Sequence, residues 1–184
     1  MIIQLGHPQV NPIPEGKVFS AFQDVFLDLF KSEEEAIYLY WHKIPIRIRY
    51  REDLYANMQL FLAMIRLIFK ENHGATKVDF MTELLFIHWD IYWTSHHIRI
   101  EARFTDTEDA YTPYADALNQ QTTLEMDRYA FQREWKSLFH QIVMAFQTVQ
   151  VNITDPKELK KLEVMQKIEQ KIPKFGKLYT LDAS

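Results

Sequence analysis

The sequence contains no cysteine, so neither a disulfide framework nor a zinc–thiolate site can form within it. It has only four glycines, and their spacing matches neither the dinucleotide-binding GxGxxG motif nor a phosphate-binding P-loop. The GxSxG nucleophile elbow, the HExxH zinc motif and the kinase signatures are missing as well. These absences exclude several large enzyme classes.

Long hydrophobic runs are also missing. The longest apolar run, Leu60 to Ile65, ends at Arg66, whereas a bilayer span needs about 20 apolar residues. The start, Met1-Ile-Ile-Gln-Leu-Gly-His-Pro, lacks the basic and apolar regions of a signal peptide. We therefore expect a cytoplasmic protein that does not bind membranes.

The charge and composition are those of an ordinary globular protein. The 184 residues include 21 Lys and Arg against 25 Asp and Glu, which gives a net charge of −4. Nucleic-acid-binding domains usually carry the opposite sign, so we expect no nucleic-acid partner. The length favours one domain over residues 1–184.

Hydrophobic periodicity predicts both helices and strands. Apolar residues recur at helical spacing in segments 15–31, 53–72, 127–149 and 156–172, the last of which begins with Asp155, Pro156 and Glu158 as a capping box. Alternating residues predict hairpins over 36–51 and 85–104, with turns near His42-Lys43 and at 94–97, and a short strand around 122–126. Three prolines in residues 1–14 predict an extended arm.

The predicted order is therefore α-β-β-α-β-β-(β)-α-α. Two hairpins joined through a helix favour an α+β domain, with a single antiparallel sheet of four to five strands and helices mainly on one face.

Histidines around the second hairpin are the best catalytic candidates. His88 and Asp90 lie two residues apart on one strand face, and His96 and His97 follow in the turn. An imidazole beside a carboxylate can act as a general base or bind a metal, so a metal-dependent or small-molecule-binding enzyme is one alternative. The other interpretation is a hydrogen-bonded histidine on the sheet with solvated histidines in the turn. We expect no resident metal or cofactor.

Arginines on the predicted strands form a second candidate site. Arg47 and Arg49 line one strand, and Arg99 and Arg103 line another. If these strands are neighbours, the four side chains form a basic plate that could bind an anionic partner, as an adaptor would. The alternative is a solvated sheet face with local ion pairs.

The segment 105–127 is a third candidate. It carries six acidic residues and no Lys or Arg, and we expect most of it to be a loop. Acidic side chains next to tyrosines suit a cationic protein surface, because the charges steer the encounter and the aromatic rings are then desolvated. The predicted partner-binding residues are Asp106, Glu108, Asp109, Tyr111, Tyr114 and Asp116. A solvated loop is the alternative.

Two sequence strings carry a family resemblance, Phe131-x-x-Glu134-Trp135-x-x-Leu138-Phe139 and Ile172-Pro173-x-x-Gly176-x-Leu178-Tyr179. With its size, acidity and element order, the chain resembles bacterial toxin-immunity proteins, such as those paired with contact-dependent growth-inhibition toxins. The resemblance implies a cytoplasmic protein that is not an enzyme. It implies binding to the C-terminal domain of one cognate toxin, often a nuclease, and occlusion of its active site. Since nuclease clefts that engage phosphate tend to be cationic, the acidic segment is the expected contact.

Overall fold

The computed structural model describes residues 1–6, 8–22, 24–31, 35–108, 112–149 and 151–171, the last three of them in backbone only. Helices and antiparallel sheets together give an α+β fold, as predicted. The helices are α1 (Asp24–Leu29), α2 (Tyr55–Lys70), α3 (Thr112–Asn119), α4 (Arg128–Thr148) and α5 (Pro156–Lys171). The strands are β1 (Ile2–Gln4), β2 (Val18–Phe19), β3 (Ala36–Trp41), β4 (Ile44–Arg49), β5 (Gly74–Met81), β6 (Leu85–Trp93), β7 (His97–Asp106), β8 (Thr123–Asp127) and β9 (Asn152–Ile153).

The larger sheet has four antiparallel strands in the order β5-β6-β7-β8. Its central hairpin, β6 and β7, is the second predicted hairpin, and β8 is the short strand predicted around 122–126. The sequence interpretation missed β5, although Lys77 and Asp79 alternate there with the buried Val78 and Phe80. This period-two alternation is typical of a strand with one buried face.

The smaller sheet contains the first predicted hairpin. β3 and β4 pair through a two-residue turn in which His42 and Lys43 have φ values of 45° and 75°, the left-handed geometry of a type I′ turn. β1 adds to the other side of β3, so part of the predicted N-terminal arm is a strand.

The prediction that one sheet holds both hairpins is wrong, because they lie in separate sheets. β6 pairs with β5 on one side and with β7 on the other, so neither side of β6 is left for the first hairpin. A third, two-stranded sheet is parallel and joins β2 to β9.

Two segments differ from their predicted structure. The helix predicted over 15–31 is reduced to α1, because Gly16 turns the chain with a φ of 79° and β2 pairs with β9 instead. Its apolar residues are nevertheless core: Phe22, Val25, Phe26 and Leu29 are fully buried. The acidic segment is also not mostly loop, since α3 occupies its centre.

Aromatic side chains join the two larger sheets and the helices through one core. Trp41 of the smaller sheet stacks on Trp89 of β6, with ring centroids 6.0 Å apart. Phe61 of α2 contacts Phe80 of β5 at 5.2 Å and Trp135 of α4 at 4.8 Å. The core therefore covers one face of the four-stranded sheet, and the polar residues of its strands point to the other face.

Candidate functional site

The uncovered face of the four-stranded sheet brings together many of the predicted site residues. Every second residue of its strands is exposed or half-buried. The register aligns these side chains in rows across the strands. The rows are Met81–Phe86–Thr105, Asp79–His88–Arg103, Lys77–Asp90–Glu101–Thr123 and Ala75–Tyr92–Arg99–Glu125. We call this surface the open face.

His88 lies between two carboxylates on the open face. Its Nδ1 contacts Asp79, and its Nε2 lies 3.0 Å from Asp90. Asp90 also pairs with the Lys77 ammonium at 3.0 Å. The hydrogen bond from Lys77, followed by that from His88, holds the pKa of the Asp90 carboxyl below its usual value. The sequence interpretation found His88 and Asp90 but missed Asp79 and Lys77, since cross-strand partners depend on β5.

The four residues predicted to form a histidine site do not converge. His96 and His97 lie at the hairpin turn. The strand β6 runs five residues, or about 16 Å, from His88 to its end at this turn. Both are exposed, and His97 lies 3.7 Å from Glu125. Within the described residues, no three His, Asp or Glu side chains are arranged to hold a metal ion.

The predicted arginine plate is also not formed, because its two halves lie in different sheets. Arg47 and Arg49 both reach Glu83 in the β5–β6 turn, at 3.5 and 3.4 Å. Arg49 further contacts Glu52 and Asp53, so carboxylates already neutralise this side chain. Burial of the guanidinium lowers the pKa of Arg49, but the acidic neighbours raise it by more. The pKa of Arg49 is therefore raised overall.

The other two arginines are on the open face itself. Arg99 lies 2.7 Å from Glu101 and 3.9 Å from Glu125. Arg103 is exposed and has no ion pair among the described residues. A shallow polar depression of about 520 Å³ lies beside it, lined by Asp90, Glu101, Arg103 and Thr123 among others. Its mixed charges suit recognition of another polar surface.

The acidic segment begins at the end of β7, beside the row that holds Met81 and Phe86. Asp106 ends β7 and accepts a hydrogen bond of 2.6 Å from the Thr112 hydroxyl at the start of α3. Glu108 and Asp116 are exposed. Two further predicted contacts, Asp109 and Tyr111, lie outside the described residues.

Tyr114, one of the predicted partner-binding residues, is half-buried on α3. Its hydroxyl donates a hydrogen bond to the carbonyl of Pro45 and so joins α3 to the smaller sheet. Burial raises the pKa of the Tyr114 phenol to about 12. Sequence reasoning missed two exposed apolar residues on the open face, Met81 and Phe86. They pair across β5 and β6 and remain 57% and 45% exposed.

Of the two sequence strings that carry the family resemblance, the first lies in α4, and its spacing of apolar residues corresponds to packing in the core. Phe131, Trp135, Leu138 and Phe139 are fully buried in the core. Glu134 accepts the Ile3 N–H at 2.8 Å, so it holds β1 in place. The second string, 172–179, lies outside the described residues.

Side-chain caps are present at the start of two predicted helices, and a cap was predicted from the sequence only for the last. Asp127 accepts the Ala130 N–H at 2.8 Å and caps α4, while Asp155 accepts the Lys157 N–H at 2.8 Å at the start of α5. Glu158 does not complete the predicted capping box, because it accepts the Phe22 N–H and pairs with Lys161.

None of the helices in the described part of the chain has the length and apolar character needed to cross a membrane. A scan against protein-family models finds no family that matches the chain, and searches of the curated proteins and the solved structures find no match either.

Proposed function

We propose that this chain is an immunity protein, which binds a cognate bacterial toxin domain and occludes its active site. The observation that carries the proposal is the exposed apolar pair Met81–Phe86 beside the acidic end of β7. The register sets Thr105 opposite Phe86. The side chain of Asp106, the next residue, points to the other face of β7, and the exposed Glu108 follows two residues later. Apolar anchors next to a charged rim are the usual anatomy of a protein–protein interface.

The two halves of this surface have different roles in the proposed complex. The carboxylates of Asp106, Glu108 and Asp116 attract a cationic cleft and raise the association rate. Met81 and Phe86 are desolvated on contact and slow dissociation, because buried aromatic residues carry much of the energy of interfaces. An active site that normally accepts phosphate is cationic and matches this arrangement.

The primary test is co-expression of this chain with the C-terminal domain of the protein encoded beside its gene. We expect growth rescue and co-purification of a stable complex. A neighbouring domain that is harmless, or that kills despite this chain, would overturn the proposal.

Two variants locate the interface in that complex. Asp106→Asn/Glu108→Gln/Asp116→Asn should lower kon by about tenfold at low salt and flatten its salt dependence. The matched control neutralises exposed glutamates elsewhere, Glu15→Gln/Glu71→Gln/Glu163→Gln, and should change kon by less than about twofold. An equal decrease in kon for both triple variants would show that the net charge of the chain, and not the acidic segment, attracts the partner.

Phe86→Ala should raise koff by about tenfold or more, since truncation of a central aromatic costs over 1 kcal/mol. Tyr129→Ala is the control, because Tyr129 is 53% exposed on α4. An unchanged koff for Phe86→Ala would remove the open face from the interface.

A further inference from the structure

A basic groove with an apolar floor runs between α2 and α5, away from the open face. Two adjoining cavities of about 260 and 590 Å³ form it, and they share Arg66, Lys160 and Val164. The cationic residues that line it are Arg66, Lys70, Lys157, Lys160, Lys161 and Lys167. Its apolar residues are Leu62, Ala63, Phe69, Val164 and Ile168.

The groove arises because two helical stripes face each other. On α2 the lining residues run from Gln59 to Lys70 at spacings of three and four, and α5 repeats this pattern from Lys157 to Ile168. The sequence of α5 alone shows a lysine-rich helix, and α2 places a second basic stripe beside it. Only the packing of the helices shows the groove.

Half of the positive charge of the groove is uncompensated. Among the residues that the structure describes, no acidic side chain lines it. Glu71, Glu158 and Glu163 pair with Lys70, Lys161 and Lys167 from outside. The other three cations, Arg66, Lys157 and Lys160, have no ion pair among the described residues.

We propose that this groove docks an acidic amphipathic helix of a protein partner. The lining of α2 from Gln59 to Lys70 is about 16 Å long, which is the length of three helical turns. An apolar stripe on such a helix would meet the floor, and acidic residues on both sides of the stripe would meet the lysines on the rims. This is the helix-in-groove mode of recognition.

Other occupants match these features less well. A membrane surface is flat and does not follow a recessed floor between two helices. The phosphates of a nucleic acid would leave that apolar floor without a partner. The remaining sequence of this chain, 172–184, carries Lys174 and Lys177 against Asp182 and so does not complement the lysines.

The test uses the full chain and a fluorescent synthetic peptide of about 18 residues, with leucines at helical spacing and glutamates on both flanks. A scrambled peptide of the same composition measures the contribution of charge alone. We expect saturable binding by fluorescence anisotropy, at least about fivefold tighter for the amphipathic peptide, with weaker binding as salt rises.

Two groove variants probe the charge and the floor separately. Arg66→Glu/Lys160→Glu should weaken binding by about tenfold or more, and the matched control Lys31→Glu/Arg133→Glu should change it by less than about twofold. Ala63→Trp fills the floor without changing charge and should also weaken binding by about tenfold. Unchanged thermal unfolding shows that each variant is folded.

Three results would overturn the proposal: no peptide binding, equal losses for groove and control variants, or equal affinity for the scrambled peptide. Preferential binding to vesicles of about 20% anionic phospholipid, lost in Arg66→Glu/Lys160→Glu, would assign the groove to a lipid surface instead. A concentration-dependent dimer abolished by the same variant, without peptide binding, would assign it to a second copy of the chain. Neither the toxin domain nor the open face takes part in these assays, so their outcome is independent of the proposed function.

Discussion

The side chain of Asn119 takes the place of a neighbouring strand beside Phe104. Its amide oxygen accepts the Phe104 N–H at 3.0 Å, and its amide nitrogen donates to the Phe104 carbonyl at 2.7 Å. The register of β8 along β7 ends where Glu101 faces Thr123, so the second half of β7 would otherwise present an open edge. The α3 helix covers this edge and protects it from pairing with another chain.

We predict that Asn119→Ala lowers the free energy of unfolding by about 1 to 3 kcal/mol, because it leaves two backbone groups of a buried residue unsatisfied. Urea denaturation measures the change, and amide exchange should accelerate at Phe104. Gln120→Ala, at the exposed next position, should change stability by less than about 0.5 kcal/mol. Equal stability of the two variants would show that Asn119 is not needed at this edge.

A buried arginine at the start of α4 supports a second prediction. The Arg128 guanidinium donates to the carbonyls of Ile68, Glu71 and Asn72 at the end of α2, and to that of Thr94 in the β6–β7 turn. Burial lowers the pKa of Arg128, and the carbonyls at a helix C-terminus favour its positive charge. One side chain therefore joins three elements.

Arg128→Met should destabilise the protein by about 2 to 4 kcal/mol, because four carbonyls lose the guanidinium and only that of Glu71 keeps another side-chain donor, the Trp93 indole. Arg128→Lys should recover only part of this loss, since an ammonium cannot reproduce the planar fork. Chemical denaturation compares them with Arg133→Met, an exposed change on the same helix. A similar loss in Arg133→Met would contradict a specific role for Arg128.

The raised pKa of Tyr114 predicts a loss of stability in alkali. The phenol has a pKa of about 12 in the folded state against an ordinary value of 10.0, so folding favours its protonated form. That contribution is complete below pH 10 and is lost as the pH rises from 10 through 12. Absorbance titration of tyrosinate should show one fewer late-titrating group in Tyr114→Phe. An identical alkaline titration in that variant would contradict the assignment.

The open face predicts a second pH effect, at the carboxyl of Asp90. Its pKa is lowered, so the charged form stabilises the fold above the ordinary value of 3.8 and this contribution is lost as the pH falls further. Carboxyl carbon NMR titration should place the midpoint below 3.8. Lys77→Ala should raise this midpoint more than His88→Ala does, because Lys77 is the larger cause. The reverse order would contradict the described contacts.

Local patterns were sufficient to predict much of the fold. Both hairpins, the helices α2, α4 and α5, and the short strand β8 follow from periodicity and capping residues. The strand β5 was missed because only two of its eight residues, Val78 and Phe80, are buried, so its alternation of apolar and polar residues is short. The helix predicted over 15–31 is too long because the spacing of apolar residues does not reveal that β2 pairs with β9.

The candidate sites were harder to predict than the elements that carry them. Arg49 and Arg103 alternate with apolar residues in the same way, yet one is enclosed by carboxylates and the other is exposed. His88 has Asp79 as a partner only because β5 lies beside β6. Such partners come from strands that are distant in sequence, so no local pattern contains them.

The α+β class, the core positions and the acidic character of segment 105–127 are all readable in the chain itself, since they depend on the spacing and type of neighbouring residues. Long-range packing was needed to show which sheet each hairpin joins, that the Tyr114 hydroxyl bonds to the Pro45 carbonyl, and that α2 and α5 form a basic groove. Burial and charge at a surface depend on the elements packed around it, and these contacts join residues far apart in the chain.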